Sequence, residues 1–446
     1  MMRLYDTKTR KLEPILQSGD QLKIYACGPT VYRYAHVGNM RTFLLLDLIT
    51  RLAKLNGMQT LVVQNITDVG HLLEDVDDDQ DRVVQEAKLL NQDPFALARF
   101  FEKAFLDDQE RLNIQRADHY PRASETIEEM IKICSILQKN GFAYVGKDGS
   151  LFFDAKKSID YGAISGNKLA ELQPGHRFGG ESDSSKNFHA DWALWKLAPN
   201  RSEMVWDSPW GVGFPGWHIE CSAMSLQFLG DQVDLHLGGI DLRFPHHENE
   251  RAQSNSVAGK EVISRWVHGE HLLFDGRKMS KSTGNVLLVS DLIEKKVDPL
   301  ALRLALMETR YRTQIDLSWD SLFAADRTLK RWRKLIQDVG FRDCEPELKQ
   351  RGLDILNEDL NSPALIQMLR ALEGPQQVAA LLWFDQFLAL DLDRKPEEIP
   401  PKVLQLLEER NQARLSGDWK ASDHLREEIK KLGYEVRDTP TGQELV

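Results

Sequence analysis

Apolar and polar positions change period several times along this chain. Gln21 to Ala26 reads as a short strand, which Gly28-Pro29-Thr30 interrupts. From about Gly38 to Asn56 the apolar residues Met40, Phe43, Leu44, Leu48, Leu52 and Leu55 recur at helical spacing. Gly57 supplies a stop, and Gln59 to Asn65 is strand-like again. Together these segments predict one β-α-β unit. Helical periodicity returns over 82–112 and 124–140. Between Gly141 and Gly216 glycine, turn residues and aromatics crowd in, among them Trp192, Trp195, Trp206 and Trp210, which predicts a β-rich insertion. Beyond it, 217–229 reads as helix, 234–237 as strand, 245–257 as helix and 262–268 as strand. From Pro299 the chain is nearly all helical. A charged, proline-rich linker at 391–401 precedes two further helices (403–415 and 420–432), Gly433 and a short strand at 434–437.

The expected fold is α/β. A Rossmann-type doubly wound parallel sheet (1–140 and 217–268) carries a β-rich connective insertion (141–216). It is followed by a region with a lysine-bearing loop (269–320), an α-helical bundle (321–390), the linker (391–401) and a small α+β C-terminal module (402–446).

Composition narrows the class. At 446 residues and 42% hydrophobic content, more than one domain can bury a core. No apolar run approaches the roughly 20 residues that span a bilayer. The opening Met1-Met2-Arg3-Leu4-Tyr5-Asp6 is too polar for a signal peptide. Cys27, Cys134, Cys221 and Cys344 form no Cys-x-x-Cys pair, which points to a reducing compartment rather than a disulfide scaffold. The acidic run from Glu74 to Asp81 reads as a solvated loop, because consecutive like charges repel. A net charge of −11 leaves nucleic-acid binding open, since binding depends on a local basic face.

Two segments suit phosphates. Lys278-Met279-Ser280-Lys281-Ser282, with Thr283-Gly284-Asn285 behind it, places two ammonium groups three residues apart in a short polar loop. Such lysines can neutralise charge moving to a leaving pyrophosphate. His36-Val37-Gly38-Asn39 opens the first long helix, where free N–H groups and the dipole favour an anion. A lysine-rich surface loop and a lone capping histidine are the bland readings. A metal set is also within reach. Cys27 closes the first strand, Cys221 lies on the helix after Gly216, and His246 and Glu250 share a helix face at i, i+4. Two thiolates, an imidazole and a carboxylate suit tetrahedral zinc, although spacing alone does not bring the three segments together. Gly238-Gly239 before Asp241 would let a nucleotide approach the backbone, or simply make a tight turn.

The lysine loop resembles the KMSKS signature of class I aminoacyl-tRNA synthetases, and His36–Asn39 resembles their HIGH signature with Asn39 in place of the second histidine. More closely, the chain resembles the cysteinyl-tRNA synthetase family. The strings that carry this are Tyr25 to Tyr32, Asn65-Ile66-Thr67-Asp68, Gly216 to Met224, Gly238 to Glu250 and Lys278 to Asn285. The resemblance implies a cytoplasmic, monomeric cysteine–tRNA ligase with no membrane partner. Its substrates are cysteine, ATP with Mg2+, and tRNA(Cys). One Zn2+ held by Cys27, Cys221, His246 and Glu250 takes the substrate thiolate. Thr67, Trp217 and His236 match positions in or behind the amino-acid pocket. His36, Lys278 and Lys281 would carry the phosphate chemistry, with Gly38, Asn39, Gly239 and Asp241 also on ATP. Region 269–320 becomes a stem-contact region and 402–446 an anticodon-binding module. Arg327, Lys330, Arg331, Arg333 and Lys334 form a basic stretch for RNA or a solvated face. In the last module Arg414, Lys420, Arg426, Lys430, Lys431 and Arg437 are basic, while 439–446 lack the family's usual tryptophan. Rival readings are a cysteine–amino sugar ligase, which lacks a module such as 403–446, and a non-catalytic tRNA-binding paralogue.

Overall fold

Short apolar runs bounded by glycine and proline build the centre of the molecule, in the chain order β1 (Leu22–Ala26), α1 (Val37–Leu55), β2 (Thr60–Gln64), α2 (Trp217–Leu229), β3 (Val233–Gly239), α3 (His246–Ala258) and β4 (Ile263–Gly269). The computed structural model describes residues 1–69, 82–172, 184–279, 285–395, 400–439 and 442–445. They fall into two units, Met1–Leu392 and Asp393–Val446. The four strands are parallel, in the order β4-β3-β1-β2. α1 carries the chain from β1 to β2 in one direction, and α3 carries it from β3 to β4 in the other. Right-handed crossovers in opposite directions put the two helices on opposite faces, and a crevice opens at the strand ends where the direction reverses, between β1 and β3.

The period of two decides what each face receives. Ala26, Leu237 and Val267 are in register and buried beneath α1. Tyr25, His236 and Trp266 form the next rung and point the other way, with ring centroids 5.0 and 4.5 Å apart. Cys27, two residues after Tyr25, continues onto that second face. Its N–H donates to the Leu237 carbonyl at 3.1 Å, which locks the end of β1 to β3.

The insertion contains an antiparallel sheet of Ala143–Val145, Leu151–Phe153, Trp192–Leu197 and Gly213–Pro215, each strand beside the next. Trp192 stacks on Phe153 at 4.4 Å, and Trp195 is fully buried. The last of these strands leads through Gly216 into α2. A side chain at Gly216 would meet the Ala193 carbonyl oxygen at 2.0 Å, so only glycine permits this seat.

Three boundaries differ from the periodicity. The helix expected over 82–112 is two, Arg82–Leu90 and Pro94–Arg111. Asn91 is left-handed (φ 52°), and Asp93 caps the second helix by accepting from Ala96 N–H at 2.7 Å. Ile315–Leu317, inside the stretch read as helical, is a strand parallel to Leu272–Phe274. The strand expected at 434–437 is Val436–Thr439, paired with Gly442–Leu445. The acidic run at 74–81 lies outside the described residues.

Arg303 joins the bundle to the sheet. Fully buried, it pairs with Asp47 of α1 at 2.5 Å and donates to the carbonyls of Leu112, Asn113, Phe387 and Leu388. In the bundle, Gly352 of Pro346–Asn357 lies under Phe384 of Gly374–Leu388. In the second unit, helices Pro401–Leu415 and Trp419–Lys431 and the hairpin enclose Val403, Leu406, Ile429 and Val436. Arg410, also buried, there meets Asp438 at 2.9 Å and Gln443 at 2.5 Å.

A methyl group at Gly352 would sit 2.0 Å from Phe384 Cζ. Gly352→Ala is expected to destabilise the protein by about 1–3 kcal/mol in urea unfolding. Helix propensity alone would stabilise it by roughly 0.5–1 kcal/mol, so a gain in stability would show that the packing argument is wrong.

Candidate active site

One end of the site, where the sequence suggested a phosphate, is built on the first turn of α1. His36 is its N-cap, and Asn39 N–H donates to His36 Nδ1 at 3.2 Å while His36 N–H donates to Asn39 Oδ1 at 3.1 Å. A backbone N–H can only donate, so Nδ1 is the acceptor and the ring proton is on Nε2. Burial, reinforced by Arg33 and opposed by Asp241, lowers the His36 pKa. His36 is thus a neutral donor through Nε2–H near pH 7, not the cation that a charge-stabilising role would suggest. Asn39 spends its oxygen on the cap and keeps its NH2 for an outside acceptor.

The lysine loop comes to the same place. Leu272–Phe274 and Arg277–Lys278 form a short antiparallel pair with Lys278 exposed. Met279 is 7% exposed, and its methyl carbon lies 2.9 Å from where a Cβ on Gly38 would be. Beyond the loop the Leu287 carbonyl accepts from Val37 N–H at 2.9 Å. Arg41, one turn further along α1, donates to the carbonyls of Glu270, His271, Arg310 and Thr313 and so fixes the base of this region. Lys281 lies outside the described residues. On the facing strand end, Gly239 lets the Asp241 carboxylate fold back, since a Cβ there would meet Asp241 Oδ1 at 2.4 Å and Thr42 Oγ1 at 3.6 Å. The first turn of α1, Gly239 and Asp241 therefore border one crevice.

Deeper in, β1, α2 and α3 converge on a buried donor cluster. Cys27 Sγ is 4.0 Å from Cys221 Sγ and 3.7 Å from Glu250 Oε1, and Glu250 Oε1 is 3.0 Å from His246 Nε2. All four donor atoms lie within 4.8 Å of one another. Sulfurs on one tetrahedral zinc sit about 3.8 Å apart, so the spacing suits a single ion. Two more imidazoles crowd the same centre. His247 Nε2 is 3.3 Å and His236 Nε2 3.6 Å from Cys27 Sγ, which makes Cys27, His236, His247 and Glu250 an overlapping second set.

Charge balance also favours a cation. Glu250 is fully buried, its ion-pair partners among the described residues are imidazoles, and burial pushes its pKa well up. Burial likewise raises Cys27, helped by the neighbouring Cys221 and Glu250. For Cys221 burial opposes ionisation, but the hydrogen bond from Cys27 and the nearby His246 outweigh it and bring the thiol down to about 7. Within the pair, Cys27 is the donor and Cys221 the acceptor. Each additional ionisation is resisted by desolvation until a metal compensates it.

Of the other expected pocket residues, Trp217 and His236 touch this centre. Trp217 covers His246 with ring centroids 4.2 Å apart. His236 reaches Glu250 Oε2 at 3.4 Å, and its Nδ1 has no partner among the described residues. Thr67 follows β2 at the crevice edge, its N–H on the Pro29 carbonyl. Sequence reading missed four further side chains. His218 Nδ1 lies 2.9 Å from His246 Nδ1 and orients that ring. His247 Nδ1 contacts His268 Nε2 at 2.8 Å, and His268 Nδ1 contacts Thr7 Oγ1 at 2.7 Å. One signal was available: His247 is i−3 from Glu250 and shares its helix face. Cross-strand neighbours such as Thr7 and His268 left none.

On the helix Trp319–Val339, Arg327, Arg331 and Lys334 are exposed at i, i+4, i+7. Lys330 is paired with Asp326, and Arg333 is held by Asp298 and the Leu390 and Asp391 carbonyls. In the second unit Arg414 pairs with Asp438, and Arg426 donates to the Val436 carbonyl.

Comparison with known proteins follows the same outline. The profile for the class I (C) tRNA synthetase catalytic domain matches residues 14–327, and that for the cysteinyl-tRNA ligase anticodon binding domain matches 397–445. Cysteine–tRNA ligase 1 of Burkholderia lata is 39% identical, covering 100% of this chain and 96% of its own. The cysteine–tRNA ligases of Thermus thermophilus (38%; 98% of each chain) and Halalkalibacterium halodurans (36%; 99% and 98%) are similar over comparable spans. Among solved structures, methionyl-tRNA synthetase of Mycobacterium tuberculosis with methionyl-adenylate superposes with a TM-score of 0.55 at 16% identity, covering 83% of this chain and 88% of the other. An Agrobacterium radiobacter LeuRS complex gives 0.58 at 11%, covering 84% of each. At such identities the likeness is one of fold.

Because burial raises the pKa of Cys27 and of Glu250 and Cys221 is brought down only to about 7, metal uptake must expel protons. Zinc binding to the apoprotein is expected to release more than one proton per ion at pH 7, and apparent affinity should rise between pH 6 and 8. Chelator competition and a pH-indicator dye read both quantities. Proton-neutral binding would contradict this ionisation pattern.

Proposed function

This chain belongs to the cysteinyl-tRNA synthetase family, and on that premise we propose that it selects its amino acid through a bond between the substrate sulfur and a zinc ion held by Cys27, Cys221, His246 and Glu250. As a family member it is an ATP-dependent, AMP-forming class I ligase that charges tRNA. Among the described residues no helix is long and apolar enough to cross a membrane. The observation that carries the zinc reading is the convergence of two thiols, an imidazole and a carboxylate from three separated segments into one buried volume. The set with both thiols is preferred over the overlapping one because Cys221 is the most readily ionised sulfur there and zinc favours thiolate.

Serine differs from cysteine by one atom, and an apolar pocket separates such near-isosteres by only about 10²-fold. When bound, the metal would prefer a soft thiolate to a neutral hydroxyl, which supplies selectivity without a second, editing site. Trp217 and Thr67 would line the pocket, with His236 beside the ligands. The cysteine carboxylate, ionised at neutral pH and needing no base, would attack the α-phosphate of Mg2+-bound ATP and release pyrophosphate. His36 Nε2–H and the Asn39 NH2 offer neutral donors at the positive end of α1. Lys278 and Lys281 would bring the positive charge, and Gly38 and Gly239 the close backbone approach. Asp241 would take the ribose hydroxyls. A terminal ribose hydroxyl of tRNA(Cys) would then open the adenylate and release AMP. Arg327, Arg331 and Lys334 present the basic face for RNA backbone. The module at 397–445 weighs against an amino-sugar ligase.

ATP–pyrophosphate exchange should depend on cysteine and require zinc. Cys221→Ala is expected to lower that exchange by about 10³-fold or more and to reduce discrimination against serine to about 10². Retained discrimination in this variant would sink the sulfur-recognition reading.

A further inference from the structure

The loop that joins β1 to α1 and the loop that follows β2 are held together by one amide side chain. Gly28 N–H donates to Asn65 Oδ1 at 2.9 Å. A backbone N–H cannot accept, so this contact decides which end of the Asn65 amide is oxygen. The NH2 end then faces Thr67 Oγ1 at 3.0 Å. An amide NH2 only donates, so the Thr67 oxygen accepts from it and the Thr67 proton must leave in another direction.

Nothing in the described residues receives that proton. Thr67 is 3% exposed and Asn65 1% exposed, so water is largely excluded from both. The backbone polar groups of Thr67 are already spent: its N–H donates to Pro29 and its carbonyl accepts from Val31, at 3.0 and 3.1 Å. The segment cannot slide to find another partner, because Gly28 and Asn65 are in close backbone approach, with a Cβ on Gly28 falling 1.7 Å from the Asn65 carbonyl oxygen. A buried donor without an acceptor is unfavourable, and a ligand oxygen removes the penalty. Of the groups on the bound cysteine, the ammonium can only donate, and the sulfur is taken up by the metal in the reading above. The carboxylate is left as the acceptor.

We propose that Asn65 is a positioning residue that aims the Thr67 hydroxyl proton at the carboxylate of the bound amino acid. This rests on the reading of Thr67 as part of the amino-acid pocket. Asn65 itself touches no substrate. It fixes the polarity of a group that does, and so helps to hold the carboxylate when the amino acid binds.

Asn65→Asp tests this at nearly constant shape. One carboxylate oxygen still accepts from Gly28, but the other now accepts from Thr67 and turns its proton away. In ATP–pyrophosphate exchange by the zinc-loaded protein, KM for cysteine is expected to rise about tenfold with kcat within about threefold, and zinc content to stay at the wild-type level. Inhibition by cysteamine, which keeps the thiol and amine but has no carboxylate, should change less than about twofold. Thr67→Val should raise KM similarly, Thr67→Ser should restore it, and Asn65→Asp should add less than about twofold on top of Thr67→Val. Should the aspartate variant fail to fold, Asn65→Ala goes through the same cycle with the same expectation of non-additivity. A KM increase that persists undiminished in the Thr67→Val background, or weakens cysteamine equally, means charge repulsion or distortion and overturns the proposal. Normal KM in the Asn65 variants with a sensitive Thr67→Val overturns the role of Asn65 alone. Normal KM in Thr67→Val overturns the pocket reading and the proposal together.

Discussion

Exclusion of water from a dense set of titratable side chains is the constraint around which this structure is arranged. Two thiols, a carboxylate and the imidazoles of His236, His246 and His247 meet where β1 ends against β3, with His218 and His268 behind them, all less than 10% exposed. Burying so many polar groups is costly unless they are paired, and each member of the cluster is engaged by another. The pinning of β1 to β3, the glycine at 216 and the rung of Tyr25, His236 and Trp266 all serve to hold backbone at this place.

Legibility in the sequence followed the range of the interactions. The helix from Val37 to Leu55 was evident because six apolar residues repeat on one face, and the His246/Glu250 pair because four residues make one helical turn. What the sequence could not state is that Cys27, Cys221 and His246 meet, since that depends on strand order and on which way each crossover turns. Ile315–Leu317 was hidden because a three-residue strand takes its identity from its partner at Leu272–Phe274 rather than from any period of its own. The break at Asn91 was legible in principle, as Asp93-Pro94 is a helix-start signal inside an otherwise continuous pattern. His36 illustrates a different limit. Its residue type pointed to positive charge, whereas its cap geometry and burial make it a neutral donor.

The contact of Met279 with Gly38 gives the phosphate-handling end a simple logic. The lysine-bearing loop departs from a strand pair held by Arg41 and returns at Leu287, whose carbonyl grips the start of α1. Both ends of the loop are therefore referred to the same helix whose first turn offers N–H donors.

α3 has two working sides. One presents His246, His247 and Glu250 to the donor cluster. The other presents Glu248, whose carboxylate accepts from Ile164 and Ser165 N–H at 3.0 and 2.9 Å, and Asn249, which accepts from the Tyr161 hydroxyl at 2.6 Å. The segment so gripped belongs to the insertion. A ligand held by the donor cluster and the insertion segment at 161–165 would therefore bear on opposite sides of one helix, and any influence of the first on the second would be returned in equal measure.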